Sequence, residues 1–205
     1  MTRIKRGPSY PVMEHFYSVQ GEGFFQGHAA YFIRLGGCDV GCVWCDVKES
    51  WDAKKHQNYT VSQIVEWVKK AGANACVITG GEPCMYDLTE LTAALNKENI
   101  STWLETSGAY PLSGNWDWIC VSPKKFKAPL TEVVAKADEL KVVIYNDTDY
   151  KWAIQHAVKT KATCELFLQP EYSRFKTIMP LMIDYVKQNP QWRISVQMHK
   201  VIDVP

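Results

Sequence analysis

Apolar and polar positions along the chain fall into short blocks whose period switches between that of a strand and that of a helix. Ala29 to Leu35 is an almost unbroken apolar run closed by Gly36-Gly37, which predicts a strand running into a loop. Thr60-Val61-Ser62-Gln63 opens a helix: Thr60 caps it with Gln63 as reciprocal partner, and Ile64, Val65 and Val68 supply an apolar stripe that stops near Gly72. Cys76 to Thr79 is a short apolar strand stopped by Gly80-Gly81, and Asp87 to Glu98 is again helical. Further strands are predicted near Thr102–Glu105, Trp118–Val121, Leu140–Tyr145, Cys164–Leu168 and Arg193–Gln197, with helices at Asp149–Val158 and Phe175–Gln188.

Alternating strands and helices joined by short turns imply an α/β fold: a parallel sheet with right-handed crossovers, open or curled toward a barrel. No repeat, low-complexity tract or linker interrupts residues 1–205, which are expected to form a single domain. In such folds ligands sit beyond the carboxyl ends of the strands. The residues there are polar and glycine-rich: Gly36-Gly37-Cys38, Thr79-Gly80-Gly81-Glu82-Pro83, Glu105-Thr106-Ser107-Gly108, Ser122-Pro123-Lys124, Gln169-Pro170-Glu171 and His199-Lys200. They are expected to form one functional rim.

Composition narrows the class of ligand. The 205 residues are 46% hydrophobic and 22% charged, which excludes a disordered or fibrous chain. Lys and Arg number 23 against 22 Asp and Glu, a net charge of +1 that speaks against a broad nucleic-acid surface. No apolar run approaches the roughly 20 residues of a bilayer crossing. The basic start from Met1 to Arg6 is followed by Gly7-Pro8-Ser9-Tyr10-Pro11 where a signal peptide would place its apolar run, so a cytoplasmic protein is expected.

Seven cysteines in a reducing compartment read as metal ligands, reactive thiols or small core residues rather than disulfide halves. Cys76, Cys84, Cys120 and Cys164 are scattered, three of them in apolar strand patterns where a buried small hydrophobe suffices. Cys38, Cys42 and Cys45 differ: a C-x3-C-x2-C run lies within one loop, at about residues 36–50, wrapped by Gly36, Gly37 and Gly41. A closed zinc site would want a fourth ligand at similar spacing, and no second C-x2-C exists. Three thiolates on an iron–sulfur cluster leave one iron open to a small ligand.

The cysteine run, with Trp44 just before its last member, resembles the cluster loop of the radical S-adenosylmethionine (SAM) superfamily, and Gly80-Gly81-Glu82-Pro83 is similar to that superfamily's Gly-Gly-Glu-Pro element. Ser18-Val19-Gln20-Gly21-Glu22-Gly23, Arg34 before Gly37-Cys38, Cys45-Asp46, Ser122-Pro123-Lys124, Leu140-Lys141-Val142-Val143, Leu168-Gln169-Pro170 and Gln197-Met198-His199-Lys200 then resemble, from about Val12 to Pro205, the 7-carboxy-7-deazaguanine synthase family. The resemblance implies a partial, distorted (β/α)6 barrel and a homodimer. It also implies a [4Fe-4S] cluster held by Cys38, Cys42 and Cys45, SAM as cosubstrate, and an electron donor such as a flavodoxin. The implied reaction, on the path to queuosine, converts 6-carboxy-5,6,7,8-tetrahydropterin to 7-carboxy-7-deazaguanine with loss of ammonia, a lyase reaction.

By the same resemblance, Trp44, Cys45, Asp46, Gly81, Glu82, Ser122, Pro123, Lys124, Gln169, Pro170, Glu171 and Tyr172 bind SAM. Val19, Gln20, Gly21, Glu22, Arg34, Thr79, His199 and Pro205 bind the pterin. Taken alone, Arg34 in its apolar strand is also compatible with a solvated strand-end arginine, Gln20 to Glu22 with a polar turn, and Ser122-Pro123-Lys124 with a strand-ending turn. One position departs from the family. A serine or threonine whose hydroxyl helps bind Mg²⁺ usually follows Cys-Asp, and Val47 stands here without a side-chain oxygen, which puts magnesium dependence in question. Eight tryptophans fit either a dense core or an aromatic dimer face. Two other readings stand beside this one: a radical SAM activase that makes a glycyl radical on a partner protein, and a non-catalytic metal-binding module.

Overall fold

The computed structural model of the chain describes residues 8–205; the start from Met1 to Arg6, on which the absence of a signal peptide was argued, lies outside the described residues. Backbone contacts divide the chain into two compact units. One comprises the residues up to Ser18, Ala29–Glu105 and Leu112–Asp117; the other comprises Val19–His28, Thr106–Pro111 and Trp118–Pro205.

In the first unit β1 (Ser9–Val19), β2 (Ala29–Leu35), β3 (Gln57–Thr60), β4 (Ala75–Gly80) and β5 (Ser101–Thr106) lie in the order β3-β1-β2-β4-β5. β4 runs parallel to both β2 and β5, with Arg34 opposite Thr79 and Leu35 opposite Gly80. Helix α1 (Val61–Lys70) begins at the expected capping box: the Thr60 hydroxyl accepts from the Gln63 amide, and the Gln63 side chain accepts from the Thr60 amide at 2.9 Å. Its buried face, Ile64, Val65 and Val68, joins Ile33, Leu35 and Ile78 of the strands and Leu91 and Leu95 of α2 (Thr89–Lys97) in one core. Burying these side chains is the main force fixing where the loops after β2 and β4 emerge, at roughly 25 cal/mol per Å² of apolar surface.

The second unit carries β6 (Trp118–Val121), β7 (Glu139–Ile144), β8 (Glu165–Pro170) and β9 (Trp192–Ile194), each parallel to the next. Leu140, Val142, Ile144 and Leu168 bury one face of these strands against Ala153 of α4 (Thr148–Ala157) and Ile178 and Met182 of α5 (Phe175–Gln188). Two short helices, α3 (Thr131–Val134) and α6 (His199–Ile202), complete it.

Two features depart from the expected pattern. β1 and β3 form an antiparallel pair, Ser9 opposite Thr60 and Val12 opposite Gln57, where the sequence pattern predicts no strand. Pro11 is accommodated within β1, where its carbonyl accepts the Gly36 amide at 2.8 Å. The strand expected over Arg193–Gln197 is shorter, Trp192–Ile194; beyond it the Ser195 amide still donates to the Leu168 carbonyl at 2.9 Å while its side chain engages Gln169 and Gly23. Among the described residues no helix is long and apolar enough to cross a membrane.

Candidate active site

The loop after β2 is pinned by backbone hydrogen bonds before any metal is considered. The Gly37 amide donates to Ser50 at 2.6 Å, the Cys38 amide to Trp51 at 3.1 Å and the Cys45 amide to Cys42 at 3.1 Å. Gly37 adopts φ +102°, and a Cβ on it would stand 2.6 Å from the Tyr86 hydroxyl, which itself donates to the Gly36 carbonyl. Cys38, Cys42 and Cys45 are all free thiols, partly exposed. Burial first, then the neighbouring acidic groups of Glu82, Cys45 and Asp39, push the Cys38 thiol above its ordinary value, with a hydrogen bond from the Val40 backbone opposing them.

Among the described residues no three His, Cys, Asp or Glu side chains converge as a ready metal site. The donor set still suits an iron–sulfur cluster: three soft sulfur ligands on one short loop, none spent in a disulfide.

The end of β4 backs directly onto this loop. The Gly81 amide donates to Leu35 at 2.9 Å and the Glu82 amide to Gly37 at 2.8 Å. A Cβ on Gly81 would come within 2.3 Å of the Gly37 carbonyl oxygen and 2.7 Å of the Cys38 Cβ, so only glycine permits this approach. Glu82 is buried, and its carboxylate accepts from the Cys84 amide at 3.0 Å, capping the turn Pro83–Met85. Arg34, across from Thr79, donates from Nε to Glu14 of β1 at 2.6 Å. The Arg34 guanidinium is thus partly exposed and oriented by the more exposed Glu14 carboxylate. Trp44 is half-buried and Asp46 exposed, while the Val47 carbonyl accepts both the amide and the hydroxyl of Ser50, at 3.1 and 2.7 Å. That backbone oxygen is thus already engaged.

The second unit brings four of the eight predicted pterin residues together, Gln20, Gly21, Glu22 and His199. Gln20 is buried and accepts the Glu22 amide through Oε1 at 3.2 Å. The carbonyl of Gly21 accepts the Met198 amide, and a Cβ on Gly21 would lie 2.2 Å from Nδ1 of His199, so that ring rests on bare backbone. Glu22 receives Lys141 Nζ at 2.8 Å on one oxygen and Gln197 Nε2 at 2.9 Å on the other. The Gly23 amide donates to Ser195 Oγ, which donates to Gln169 Oε1 at 2.9 Å. The turn Gln20–Gly23, the buried Gln169 and the segment Ser195–His199 are therefore one hydrogen-bonded assembly, whereas Val19 ends β1 and Pro205 is exposed beyond α6.

Of the predicted SAM residues in this unit, Ser122 donates its amide to Thr106 at 2.8 Å, and Lys124 folds back to the Ser122 carbonyl and hydroxyl at 3.0 and 2.5 Å around a buried Pro123. Pro170 is buried opposite Ile144, the Glu171 amide donates to the Ile144 carbonyl, and Tyr172 is exposed with Lys200 Nζ 4.3 Å from its ring centre.

Comparison with known proteins places these features in a family. The Radical SAM superfamily model matches residues 32–143. A 7-carboxy-7-deazaguanine synthase of Flavobacterium psychrophilum is 50% identical over 98% of this chain and 96% of its own, and one of Synechocystis is 45% identical over 96% and 94%. The chain belongs to the 7-carboxy-7-deazaguanine synthase family. A crystal structure of QueE from Escherichia coli agrees with a TM-score of 0.84 at 31% identity, covering 93% of this chain and 95% of that one. The α/β fold is accordingly of the radical SAM type, a partial, distorted barrel.

The residues that hold the named ones in place carry no role in the sequence motifs themselves. Glu14 orients Arg34, Ser195 links Gly23 to Gln169, and Lys141 and Gln197 grip Glu22. Lys141, a charge inside the apolar run Leu140–Ile144, and Gln197, beside His199 in a quoted motif, left a signal; Glu14 and Ser195 left none.

Proposed function

We propose that the chain catalyses the reaction for which its relatives are named, forming 7-carboxy-7-deazaguanine from 6-carboxy-5,6,7,8-tetrahydropterin with loss of ammonia. The observation that carries this is the C-x3-C-x2-C loop backed by Gly81 and Glu82, in a chain half identical, nearly end to end, to a synthase of that name. When bound, the reduced [4Fe-4S] cluster supplies the electron that splits SAM to a 5′-deoxyadenosyl radical able to take hydrogen from C6 of the pterin.

The chain's own residues then do the positioning. Cys38, Cys42 and Cys45 would hold the cluster. Gly81 exposes backbone to the SAM amino group while buried Glu82 adds charge; Trp44, Asp46, Ser122, Pro123, Lys124, Gln169, Pro170, Glu171 and Tyr172 serve the rest of that cosubstrate. Arg34, held through Nε by Glu14, offers its terminal amino groups to the pterin carboxylate, with Thr79 beside it. Val19, Gln20, Gly21 and Glu22 read the ring, supported by His199 and the Pro205 carboxylate. Val47 gives Mg²⁺ neither a side-chain oxygen nor a disengaged carbonyl, so an ion here would rest on substrate, water and Asp46. The proposal keeps residues 1–205 as one catalytic domain acting as a cytoplasmic homodimer, fed by a donor such as a flavodoxin.

The test is anaerobic incubation of reconstituted protein with reductant, SAM and the carboxytetrahydropterin. A deazaguanine chromophore with matching ammonia release is expected, with SAM regenerated. SAM cleavage seen only with a partner protein would point to an activase, and a colourless, redox-silent protein to a metal-binding module.

A further inference from the structure

Glu22 sits in an arrangement that a polar turn does not require. Alternation along β7 places Glu139 and Lys141 on the face opposite Leu140 and Val142, and both charged side chains are buried. Glu139 accepts the Phe24 amide and the Trp118 indole, each at 3.1 Å; Lys141, two residues on, reaches the Glu22 carboxylate at 2.8 Å with its side chain 4% exposed. The other Glu22 oxygen takes Gln197, whose own side-chain oxygen accepts Lys200 at 3.0 Å, and His199 lies against Gly21 and adds its charge. A buried lysine is expensive to desolvate, and apolar residues of similar volume in place of both Lys141 and Glu22 would be as stable or more so, whereas loss of Lys141 alone leaves the carboxylate uncompensated.

We propose that Lys141 is a positioning residue for substrate binding, holding the Glu22 carboxylate ionised and aimed so that a ring presenting N–H donors meets a fixed acceptor. This rests on the functional reading above, in which Glu22 reads the pterin. Burial works to raise the Glu22 carboxyl, but the Lys141 charge and hydrogen bond, joined by Gln197 and His199, outweigh it and bring it down to about 2. The carboxylate thus stays an acceptor across the working pH range and needs no reorganisation when the ring arrives. Without Lys141 the same burial favours the neutral acid, whose hydroxyl would confront the N–H donors of the ring.

The test is steady-state kinetics and anaerobic titration of the carboxytetrahydropterin with K141M, K141R, E22Q and E22Q/K141M. K141M is expected to raise KM and Kd about tenfold or more and to move the acid limb of kcat/KM to higher pH, with kcat changed less. K141R should recover most of the binding, and E22Q/K141M should bind no worse than E22Q, because Lys141 acts only through Glu22. Should K141M fail to fold, the comparison of E22Q/K141M with E22Q, both free of an unpaired buried carboxylate, decides the matter. A wild-type acid limb and KM in K141M, or a further loss in the E22Q background, would overturn the proposal. Wild-type protein that neither binds nor converts the pterin would overturn the functional reading itself.

Discussion

Single side chains in this protein do work that their neighbours make possible. Gly81 lets the β4 end touch the cysteine loop; in G81V the new side chain would meet the Gly37 carbonyl at 2.3 Å and push the two apart. Misplacement by about 1 Å costs on the order of 100-fold in a positioned reaction, so G81V is expected to lose at least that much 5′-deoxyadenosine formation while circular dichroism stays unchanged. Each of C38A, C42A and C45A should fold yet fail to assemble a cluster with the wild-type visible spectrum after anaerobic reconstitution with iron and sulfide.

His156 is a different case. It is buried on α4, neither ring nitrogen has a partner among the described residues, and burial, with the charge of Lys159, lowers its pKa from 6.5 to about 4. The unfolded chain therefore binds this proton before the folded one does, and stability drains away as pH falls from about 6.5 towards 4. A thermal melt series should show that H156F flattens this acid loss while changing the melt little at pH 8.

Whole elements were legible wherever one mechanism decided them. The α1 start followed from Thr60 and Gln63 alone, and T60A is expected to cost about 1 kcal/mol in a urea unfolding series. β2, β4, β6 and β7 announced themselves as apolar runs because both of their faces are covered. β1 did not. Polar and apolar residues mix along it, Pro11 interrupts it, and its partner β3 consists of the polar run Gln57–Thr60, so the pairing depends on residues nearly fifty positions apart rather than on local pattern. The same limit explains the site: Cys38, Cys42 and Cys45 are close in sequence and were readable, whereas the partners of Glu22 and Gln169 come from Lys141, Ser195 and Gln197 and are brought near only by folding.

At the scale of the molecule, the proposed function requires a cluster that Cys38, Cys42 and Cys45 alone would hold, leaving one iron for SAM. Electron–nuclear double resonance on the reduced, reconstituted protein mixed with SAM labelled with ¹⁵N at its amino group and ¹⁷O at its carboxylate measures that contact directly. Hyperfine coupling from both labels is expected, and so is its loss in the C42A variant. Coupling from neither label, in a cluster whose fourth iron carries a protein side chain, would contradict the proposed function.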